Sequence, residues 1–306
     1  VYKRQNIRRA LSWGKDIMCE QIVVDTGSSD RTVEIAREMG AKIFFFPWIN
    51  DFAAAKNFAI DQAKGDWIAF LDADESFTPE DTKKIPEILE YVGDDVDGLL
   101  TGIVDLDENN HITSGGTMIR FFVNRPDLRY VGKIHEHLVR KGESGLHLTD
   151  ATKQLAFLHT GYQEQEKKDK SKFERNLNII LEILKQEPEN CDYLGYLGDN
   201  YSSGGKNEEA RDAYKKAVAA MPEKLGVYDQ RSSYTYTNLL RVSQCLNAPE
   251  AEVEAIYKEA VEKLPKEPDF DCVMGDWYWR KGQYEKAVQM YELAIAKLET
   301  YGTVNR

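Results

Sequence analysis

Residues 67–75 read WIAFLDADE, an apolar run of strand length that ends in three carboxylates within four residues. A buried strand followed at once by Asp72 and Asp74 brings two acids to its carboxyl end, which is where ligands bind in open α/β sheets. Carboxylates in this position are suited to a hard divalent cation. The alternative is a surface turn in which Asp72 only caps a helix predicted to begin near Thr78.

The residues before this stretch alternate between strand and helix patterns. Apolar runs at 21–25 and 42–46 predict strands, and the periodicity of 31–39 and 52–64 predicts the helices that follow them. A further helix is predicted before them, at 6–17. Rapid alternation of this kind predicts a parallel, doubly wound sheet. Because parallel strands end at the same edge of a sheet, Asp25 is expected to lie beside the acids of 72–75, in a nucleotide crevice with a metal.

The overall composition is that of a globular protein with room for two cores. The chain has 306 residues, of which 42% are hydrophobic, and its formal charge of 40 − 52 = −12 argues against a nucleic-acid partner. The four cysteines form no CxxC pair, which is typical of reduced thiols in a cytoplasmic protein. No apolar run approaches the ~20 residues that span a membrane, so the expected location is cytoplasmic or peripheral to a membrane.

Three motifs, in order, resemble those of the family 2 glycosyltransferases: IVVDTGSSDRT at 22–32, WINDFAAAKN at 48–57 and DWIAFLDADE at 66–75. The resemblance covers about residues 6–160 and is closest to a bacterial branch in which tetratricopeptide repeats follow a GT-A catalytic domain. It implies a Rossmann-like α/β domain with a mixed, mainly parallel sheet flanked by helices. The family's first strand carries a nucleotide contact, and this chain, which begins at Val1, is expected to lack that strand.

The same resemblance implies inverting transfer of a hexose from a nucleotide diphosphate sugar, with a UDP-sugar as the expected donor. By that similarity Asp25 contacts the base or ribose, and Thr26 and Ser28 belong to the same donor site. Asp72 and Asp74 are implied to hold the ribose and a Mn²⁺ or Mg²⁺ ion. A hard dication bound by carboxylates is suited to the charge that develops on a leaving diphosphate.

Four further residues are candidates for the site. Lys56, where the family more often has Arg, either places positive charge beside the phosphates or is a solvated helix residue.

RYVGKIHEHL at 129–138 resembles a Tyr, Gly, His-Glu stretch of the same branch. An inverting displacement needs a base, and Glu136 is the candidate, with His135 orienting it or accepting the proton itself. The alternative is a structural His-Glu pair. His159 is the candidate third metal ligand, since GT-A enzymes often use a late His; an ordinary hydrogen-bonded histidine is the alternative.

From residue 163 the composition changes to Lys, Glu, Leu and Tyr with helical periodicity, so the predicted domains are 1–162 and 163–306. The second is predicted to be an all-α tetratricopeptide-repeat domain. Its pattern includes Gly198 and Ala210, which let two antiparallel helices approach, and tyrosines that fill the seam. A 34-residue offset links Ala260 to Ala294. Residues 171–185 are predicted to form the second helix of an initial unit.

Two functions of different classes fit these patterns. The first is a metal-dependent glycosyltransferase that acts on a glycan, a peptide or a lipid-linked saccharide, with repeats that recruit the acceptor, a protein partner or a second copy. The second is a non-catalytic interaction protein whose repeats present a truncated nucleotide-binding domain. The intact acids at 25, 72, 74 and 136 favour the enzyme, and the missing strand favours the interaction protein.

Overall fold

The computed structural model describes residues 3–93, 95–160, 170–226 and 229–302. The chain divides into two compact units, Val1–Asp169 and Lys170–Arg306. The predicted boundary between residues 162 and 163 lies within 161–169, outside the described residues. Among the described residues, no helix is both long and apolar enough to cross a membrane.

The first unit mixes four described helices with ten strands. In chain order they are α1 (Lys3–Ser12), β1 (Ile22–Asp25), α2 (Thr32–Glu38), β2 (Lys42–Phe45), α3 (Phe52–Gln62), β3 (Trp67–Ala69), β4 (Glu75–Phe77), α4 (Pro79–Tyr91), β5 (Gly98–Leu106), β6 (Ile112–Val123), β7 (Leu128–Val131), β8 (His137–Arg140), β9 (Leu148–Asp150) and β10 (Ala156–His159). The mixed α/β class predicted from the sequence is confirmed.

Local capping chemistry decides where two helices near the acidic turn begin. The Asp51 carboxylate accepts a hydrogen bond from the Ala54 amide at 2.8 Å and starts α3. The Thr78 hydroxyl accepts one from the Asp81 amide at 3.1 Å and starts α4. The interpretation of Asp72 as the cap of this helix is therefore wrong, because Thr78 satisfies that end itself.

The strand pairing differs from the predicted parallel sheet. β1 and β2 pair in parallel, as expected, but they form a sheet of their own. A second sheet has the order β3-β6-β5-β10-β4, with β9 beside β5, and a third consists of β7 and β8. β3 runs antiparallel to β6, and β4 runs antiparallel to β10. The mixed sheet implied by the resemblance is confirmed, although antiparallel pairs outnumber parallel pairs among the described strands.

A long hairpin is the physical reason for this difference. The polar stretch at 107–116 is only in part a loop, because the β5–β6 ladder continues to the pair Leu106–Ile112. The apolar end of β6 then pairs with β3, for example Phe121 with Ala69. Neighbouring strands joined by a short turn pair antiparallel. The pairing of the described strands therefore does not place Asp25 and Asp72 at the edge of one continuous sheet.

The acidic turn follows β3, and the sheet that contains β3 is buried on both of its faces. Phe121 and Phe122 are adjacent in β6 and both fully buried, so they fill cores on opposite faces of the sheet. Burying each such side chain stabilises the fold by roughly 1.5–3 kcal/mol. At Gly98 an added Cβ would lie 2.6 Å from the Phe121 carbonyl oxygen, so glycine lets β5 approach β6.

The second unit is helical. Its described helices are α5 (Lys170–Gln186), α6 (Cys191–Ser203), α7 (Asn207–Ala220), α8 (Gln230–Cys245), α9 (Glu250–Lys263), α10 (Asp269–Arg280) and α11 (Tyr284–Tyr301). The helix predicted at 171–185 is confirmed by α5.

The predicted close approach of paired helices is also confirmed. A Cβ on Gly198 would collide with the Tyr214 ring, and one on Gly275 would lie 2.6 Å from the Tyr291 ring. In the first pair the Tyr214 hydroxyl donates to Asp199 at 2.7 Å, and in the last pair the Tyr291 hydroxyl donates to Asp276 at the same distance. The same glycine–tyrosine contact thus recurs in two repeats.

Candidate active site

The acidic turn at 72–75 is held at both ends. The Asp72 amide donates to the Glu75 carboxylate at 2.9 Å, and the Thr160 amide donates to the Asp74 carbonyl at 3.2 Å. Glu75 begins β4 and is buried, whereas the Asp72 side chain is half exposed. The turn therefore presents Asp72 and Asp74 from a rigid support.

A buried arginine that the sequence analysis did not single out supports this turn. Arg120 on β6 donates to the Glu75 carboxylate, lies 3.3 Å from the Asp72 Oδ2 atom, and stacks over the Phe157 ring with 5.2 Å to its centroid. Burial lowers the pKa of Arg120, but Glu75 and Asp72 outweigh burial and raise it above its ordinary value. Burial also raises the pKa of Glu75, and Arg120 opposes that shift.

Lys56 joins two of the predicted site residues. Its Nζ atom lies 2.8 Å from Glu136 Oε1 and 3.8 Å from Asp72 Oδ1. The ammonium also lies over the rings of Phe70 and Tyr130, at 5.1 and 5.0 Å from their centroids. Only 13% of the Lys56 side chain is exposed, so the alternative of a solvated helix residue is wrong. Burial lowers the pKa of Lys56, but the nearby acids, Asp72 foremost, raise it overall and keep the ammonium charged.

His135 and Glu136 lie in the loop between β7 and β8. The loop needs unusual backbone angles, with φ of 92° at Gly132 and 55° at His135. A left-handed conformation at a non-glycine residue costs about 1–2 kcal/mol and is more frequent at functional sites. The Glu136 side chain is mostly buried against Lys56, while His135 is exposed.

A side-chain amide fixes this loop to the helix that carries Lys56. Asn57 on α3 donates to the Tyr130 carbonyl and accepts from the Tyr130 amide, both at 2.9 Å. The Lys133 carbonyl accepts from the Phe52 amide at 2.9 Å. These bonds explain why Lys56 and Glu136, 80 residues apart in sequence, meet.

A second cluster joins Asp74 to His159. The His159 Nε2 atom lies 3.6 Å from Asp74 Oδ2, and its Nδ1 atom lies 2.8 Å from Asp105 Oδ1. The Ser114 hydroxyl donates to the other Asp105 oxygen. Burial lowers the pKa of His159, but the bonds to Asp74 and Asp105 outweigh it and raise that pKa to about 9. The two acids therefore favour the protonated form of His159.

Two of the three predicted metal ligands are brought together. The donor set of Asp74 and His159 fits a divalent cation, and Asp105 orients the imidazole as outer partners of metal-bound histidines do. Asp72 instead faces Lys56 and Arg120. Within the described residues, no group of three or more His, Cys, Asp or Glu side chains is assembled as a metal cage. Mg²⁺ commonly needs only one or two protein ligands when a phosphate supplies others.

The predicted nucleotide turn is built by Asp25 itself. Both of its carboxylate oxygens accept from the Ser28 amide at 3.1 to 3.2 Å, and one also accepts from the Gly27 amide at 3.1 Å. Gly27 has a φ of 114°, which favours glycine there. Thr26 and Ser28 are exposed. Among the described strands, β1, which ends at Asp25, and β3, which leads to Asp72, belong to different sheets, so the expected placement of the two turns along the edge of one sheet is not seen.

Sequence reasoning missed Arg120, Glu75 and Asp105. A signal existed for two of them: Arg120 stands between Ile119 and Phe121, and Asp105 stands inside an apolar strand. A charge that interrupts an apolar strand must find a partner when it is buried. Glu75 carried no comparable signal, because it looked like a third acid of the turn.

Comparison with known proteins agrees with this architecture. Residues 4–139 match the family model described as Glycosyl transferase family 2, and residues 272–296 match the model described as Tetratricopeptide repeat. The SPbeta prophage-derived glycosyltransferase SunS of Bacillus subtilis (strain 168) is 32% identical over 219 residues, which are 70% of this chain and 50% of that protein. The chain thus spans about half the length of this relative.

Two further similarities concern the whole chain and the repeats. A TPR repeat-containing protein of Synechococcus elongatus is 29% identical over 301 residues, which are 94% of this chain and 71% of that protein. Among solved structures, MamA MSR-1 C2 matches with a TM-score of 0.34 and 20% identity over 42% of this chain and 68% of that one. The family models and the named relatives therefore show a glycosyl transferase family 2 domain in the N-terminal unit and a tetratricopeptide repeat in the C-terminal unit.

Proposed function

We propose that the N-terminal unit transfers a hexose, with inversion, from a nucleotide diphosphate sugar to a glycan, a peptide or a lipid-linked saccharide. A UDP-sugar is the proposed donor. The observation that carries the proposal is the arrangement around one turn: Asp74 meets His159 on one side, and Asp72 meets Lys56 and Glu136 on the other. Acids and cations placed this close together suit a reaction between a donor with a metal-bound diphosphate and an acceptor with a nucleophilic hydroxyl.

On the donor side, Asp74 and His159 would hold Mn²⁺ or Mg²⁺, and Asp72 would contact the metal or the ribose. When bound, the dication supplies positive charge to the departing diphosphate. To hold a metal, His159 has to release the proton that the two acids stabilise, and Asp105 keeps its ring oriented while it does so.

Lys56 would add charge near the phosphates, since its ammonium already lies beside Asp72. Asp25, Thr26 and Ser28 would contact the base or ribose. The Asp25 carboxylate accepts hydrogen bonds from the backbone of its own turn. The exposed side chains and the backbone of that turn would therefore make the proposed contacts with the base or ribose.

On the acceptor side, Glu136 is the proposed general base. A carboxylate held by Lys56 has a fixed orientation, and an acceptor hydroxyl that bonds to it can give up its proton as the new bond forms. His135 is the second candidate for this role, because it is exposed and has an intrinsic pKa suited to proton transfer.

Donor binding tests the proposal directly. Mn²⁺ together with UDP should raise the melting temperature of the chain, since a ligand that binds only the native state stabilises it. Asp74→Asn should remove that increase, while Glu108→Gln, which changes an exposed acid of the turn between β5 and β6, should keep it. A panel of nucleotide sugars with Mn²⁺ should then reveal one donor that the chain hydrolyses slowly. Equal stabilisation in Asp74→Asn would contradict the metal assignment.

One observation favours the non-catalytic alternative. Asp72 and Glu136 are already neutralised by Lys56 and Arg120, as they would be in a purely structural ion-pair network. On that interpretation the repeats present the α/β unit to a partner, and neither UDP nor any nucleotide sugar changes the melting temperature.

A further inference from the structure

A cavity of about 520 Å³ lies between α8 and α10, two neighbouring helices of the repeat unit. Sites for small molecules commonly enclose roughly 300–1,000 Å³, so this cavity has the size of a binding site. Its lining consists of Arg241, Gln244 and Cys245 from α8 and Asp276, Trp279 and Arg280 from α10. None of these six residues is aliphatic, so the cavity suits a ligand rich in polar groups rather than an apolar one.

The repeats place different charges at the position of Arg241. In three turns between paired helices, an amide donates to the carbonyl five residues before it, and these carbonyls belong to Tyr201, Ser243 and Tyr278. Counting two residues back from each carbonyl gives Asp199 in α6, Arg241 in α8 and Asp276 in α10. The helix α8 thus carries a cation at a position where the other two helices carry an acid.

An acid at this position is satisfied within the repeats, and a cation is not. Asp199 accepts from the Tyr214 hydroxyl and from the Arg231 guanidinium, both at 2.7 Å. A guanidinium has no acceptor atom for such a tyrosine. The equivalent tyrosine of the next repeat, Tyr257, donates instead to Asp271 of α10 at 2.6 Å. The substitution of arginine for aspartate therefore removes the internal partners of this position.

Two guanidinium groups consequently meet at the cavity. Arg280 is positioned by the Asp276 carbonyl, 3.1 Å from its Nε atom, and by the side chain of Gln244, 3.3 Å from its Nη2 atom. Gln244 is only 8% exposed, so this partner is fixed in the packed interior. Arg241 is exposed and forms no hydrogen bond or ion pair with another described residue. The Asp276 carboxylate already accepts the Tyr291 hydroxyl, so two cations against one acid favour an anionic ligand.

Trp279 adds an aromatic surface to these charges. It is 56% exposed, although its ring packs on Tyr284 with 4.9 Å between the centroids. The C–H groups on one face of a pyranose ring carry partial positive charge, so they stack favourably on the negative face of an indole ring. The hydroxyls at the edge of such a ring need planar donors and acceptors, which arginine, glutamine and aspartate side chains provide. An aromatic face beside planar polar groups therefore fits a sugar.

We propose that this cavity binds a saccharide that carries a carboxylate or phosphate group. The sugar ring would stack on Trp279, and its acidic group would accept hydrogen bonds from Arg241 and Arg280, whose planar forks match both kinds of anion. The hydroxyls would bond to Gln244 and Asp276. An acidic peptide would satisfy the two arginines but would leave the Asp276 carboxylate without donors from a side chain of its own sign. The proposal concerns the repeats alone and does not rest on the proposed transfer reaction.

Calorimetry on the whole chain, without nucleotide or metal, tests the proposal. The probes are a disaccharide that ends in glucuronate, one that ends in glucose 6-phosphate, and the matched neutral disaccharide that ends in glucose. We expect saturable 1:1 binding of at least one acidic disaccharide and at least tenfold weaker binding of the neutral one. Arg241→Gln should weaken the acidic disaccharide at least tenfold and reduce the salt dependence of its binding. Trp279→Ala should also weaken binding, and Trp279→Phe should retain most of the affinity.

Lys258→Gln is the matched control, because it removes one positive charge from an exposed residue of α9 that does not line the cavity. It should leave the affinity unchanged, with circular dichroism confirming that all variants fold. The proposal is overturned if neither acidic disaccharide binds, if the neutral disaccharide binds equally well, or if Arg241→Gln and Lys258→Gln have equal effects. Tighter binding of inorganic phosphate or of a glutamate-rich peptide than of the acidic disaccharides would also overturn it, and would assign the cavity to a free anion or to a protein partner.

Discussion

At the scale of single residues, two cations share Asp72 but have different partners and different surroundings. Arg120 is almost fully buried and pairs with the buried Glu75, so both charges depend on each other. Lys56 pairs with Glu136 at the edge of the site, where both side chains retain some exposure to solvent. The first pair therefore supports the turn, and the second is placed to meet a ligand.

Loss of Arg120 should destabilise the first unit strongly. Arg120→Met leaves the Glu75 carboxylate buried without a counter-charge, which typically costs about 3–5 kcal/mol. Urea denaturation should show this loss, and the double variant Arg120→Met, Glu75→Leu should recover most of it. Arg129→Met, which breaks the more exposed pair with Asp61, should cost at most about 1 kcal/mol. Equal losses in Arg120→Met and Arg129→Met would mean that the buried pair does not support the turn.

Glu136→Gln tests the proposed base. It should keep UDP affinity in the presence of Mn²⁺ and lower turnover ~10²-fold or more, the usual scale for loss of a general base. Calorimetry and a donor-hydrolysis or transfer assay measure the two quantities separately. Turnover retained in Glu136→Gln but lost in His135→Ala would transfer the role to the histidine. Loss of UDP affinity in Glu136→Gln would instead make Glu136 a binding residue.

At the scale of elements, the features that decide which helices pair differ from those that decide which strands pair. In the repeats, a glycine on one helix accepts a tyrosine ring from the next, and both residues can be located from their spacing. In the α/β unit, β3 could have paired with several strands of similar composition. It pairs with β6 because the β5–β6 hairpin brings an apolar strand end alongside it.

Gly275→Ala should destabilise the repeat unit. The new Cβ would lie 2.6 Å from the Tyr291 ring, so α10 and α11 would have to separate or the ring would have to move away from Asp276. Overpacking typically costs about 1–3 kcal/mol, and the better helix propensity of alanine recovers up to about 1 kcal/mol. Chemical denaturation of the whole chain, followed by helical ellipticity, measures the net loss. Gly226→Ala is the control, since its Cβ would meet nothing within 4 Å; a similar loss there would contradict the explanation.

At the scale of the whole molecule, the chain consists of two units with separate cores. The largest core of the second unit is built from residues of α7 to α11, and the cores of the first unit draw only on residues before 161. A unit that buries its own apolar side chains has the free energy to fold alone.

Residues 163–306 expressed alone should therefore give a strongly helical, monomeric protein. Its far-ultraviolet circular dichroism should show helix minima and a cooperative loss on heating, although repeat arrays can unfold in more than one step. The whole chain with Arg120→Met should retain this helical transition unchanged, because the substitution lies in the other unit. An unfolded spectrum for 163–306 would place the boundary elsewhere.

The sequence by itself determined the features that depend on local spacing and local chemistry. These include the mixed α/β class, the start of α4 after Thr78, the helix at 171–185 and the glycine–tyrosine contacts of the repeats. Each can be inferred from periodicity, a capping residue or a motif, because neighbouring residues in the chain supply the deciding interactions.

Only the tertiary structure decided which distant charges meet. Lys56 could not be matched to Glu136, Arg120 to Glu75, or His159 to Asp105 from the chain alone, and the antiparallel pairing of β3 with β6 was not predicted. The physical reason is the same in each case. Periodicity reports which face of an element is buried, but a pair of charges or strands forms only when the packing of several elements brings both members to the same place.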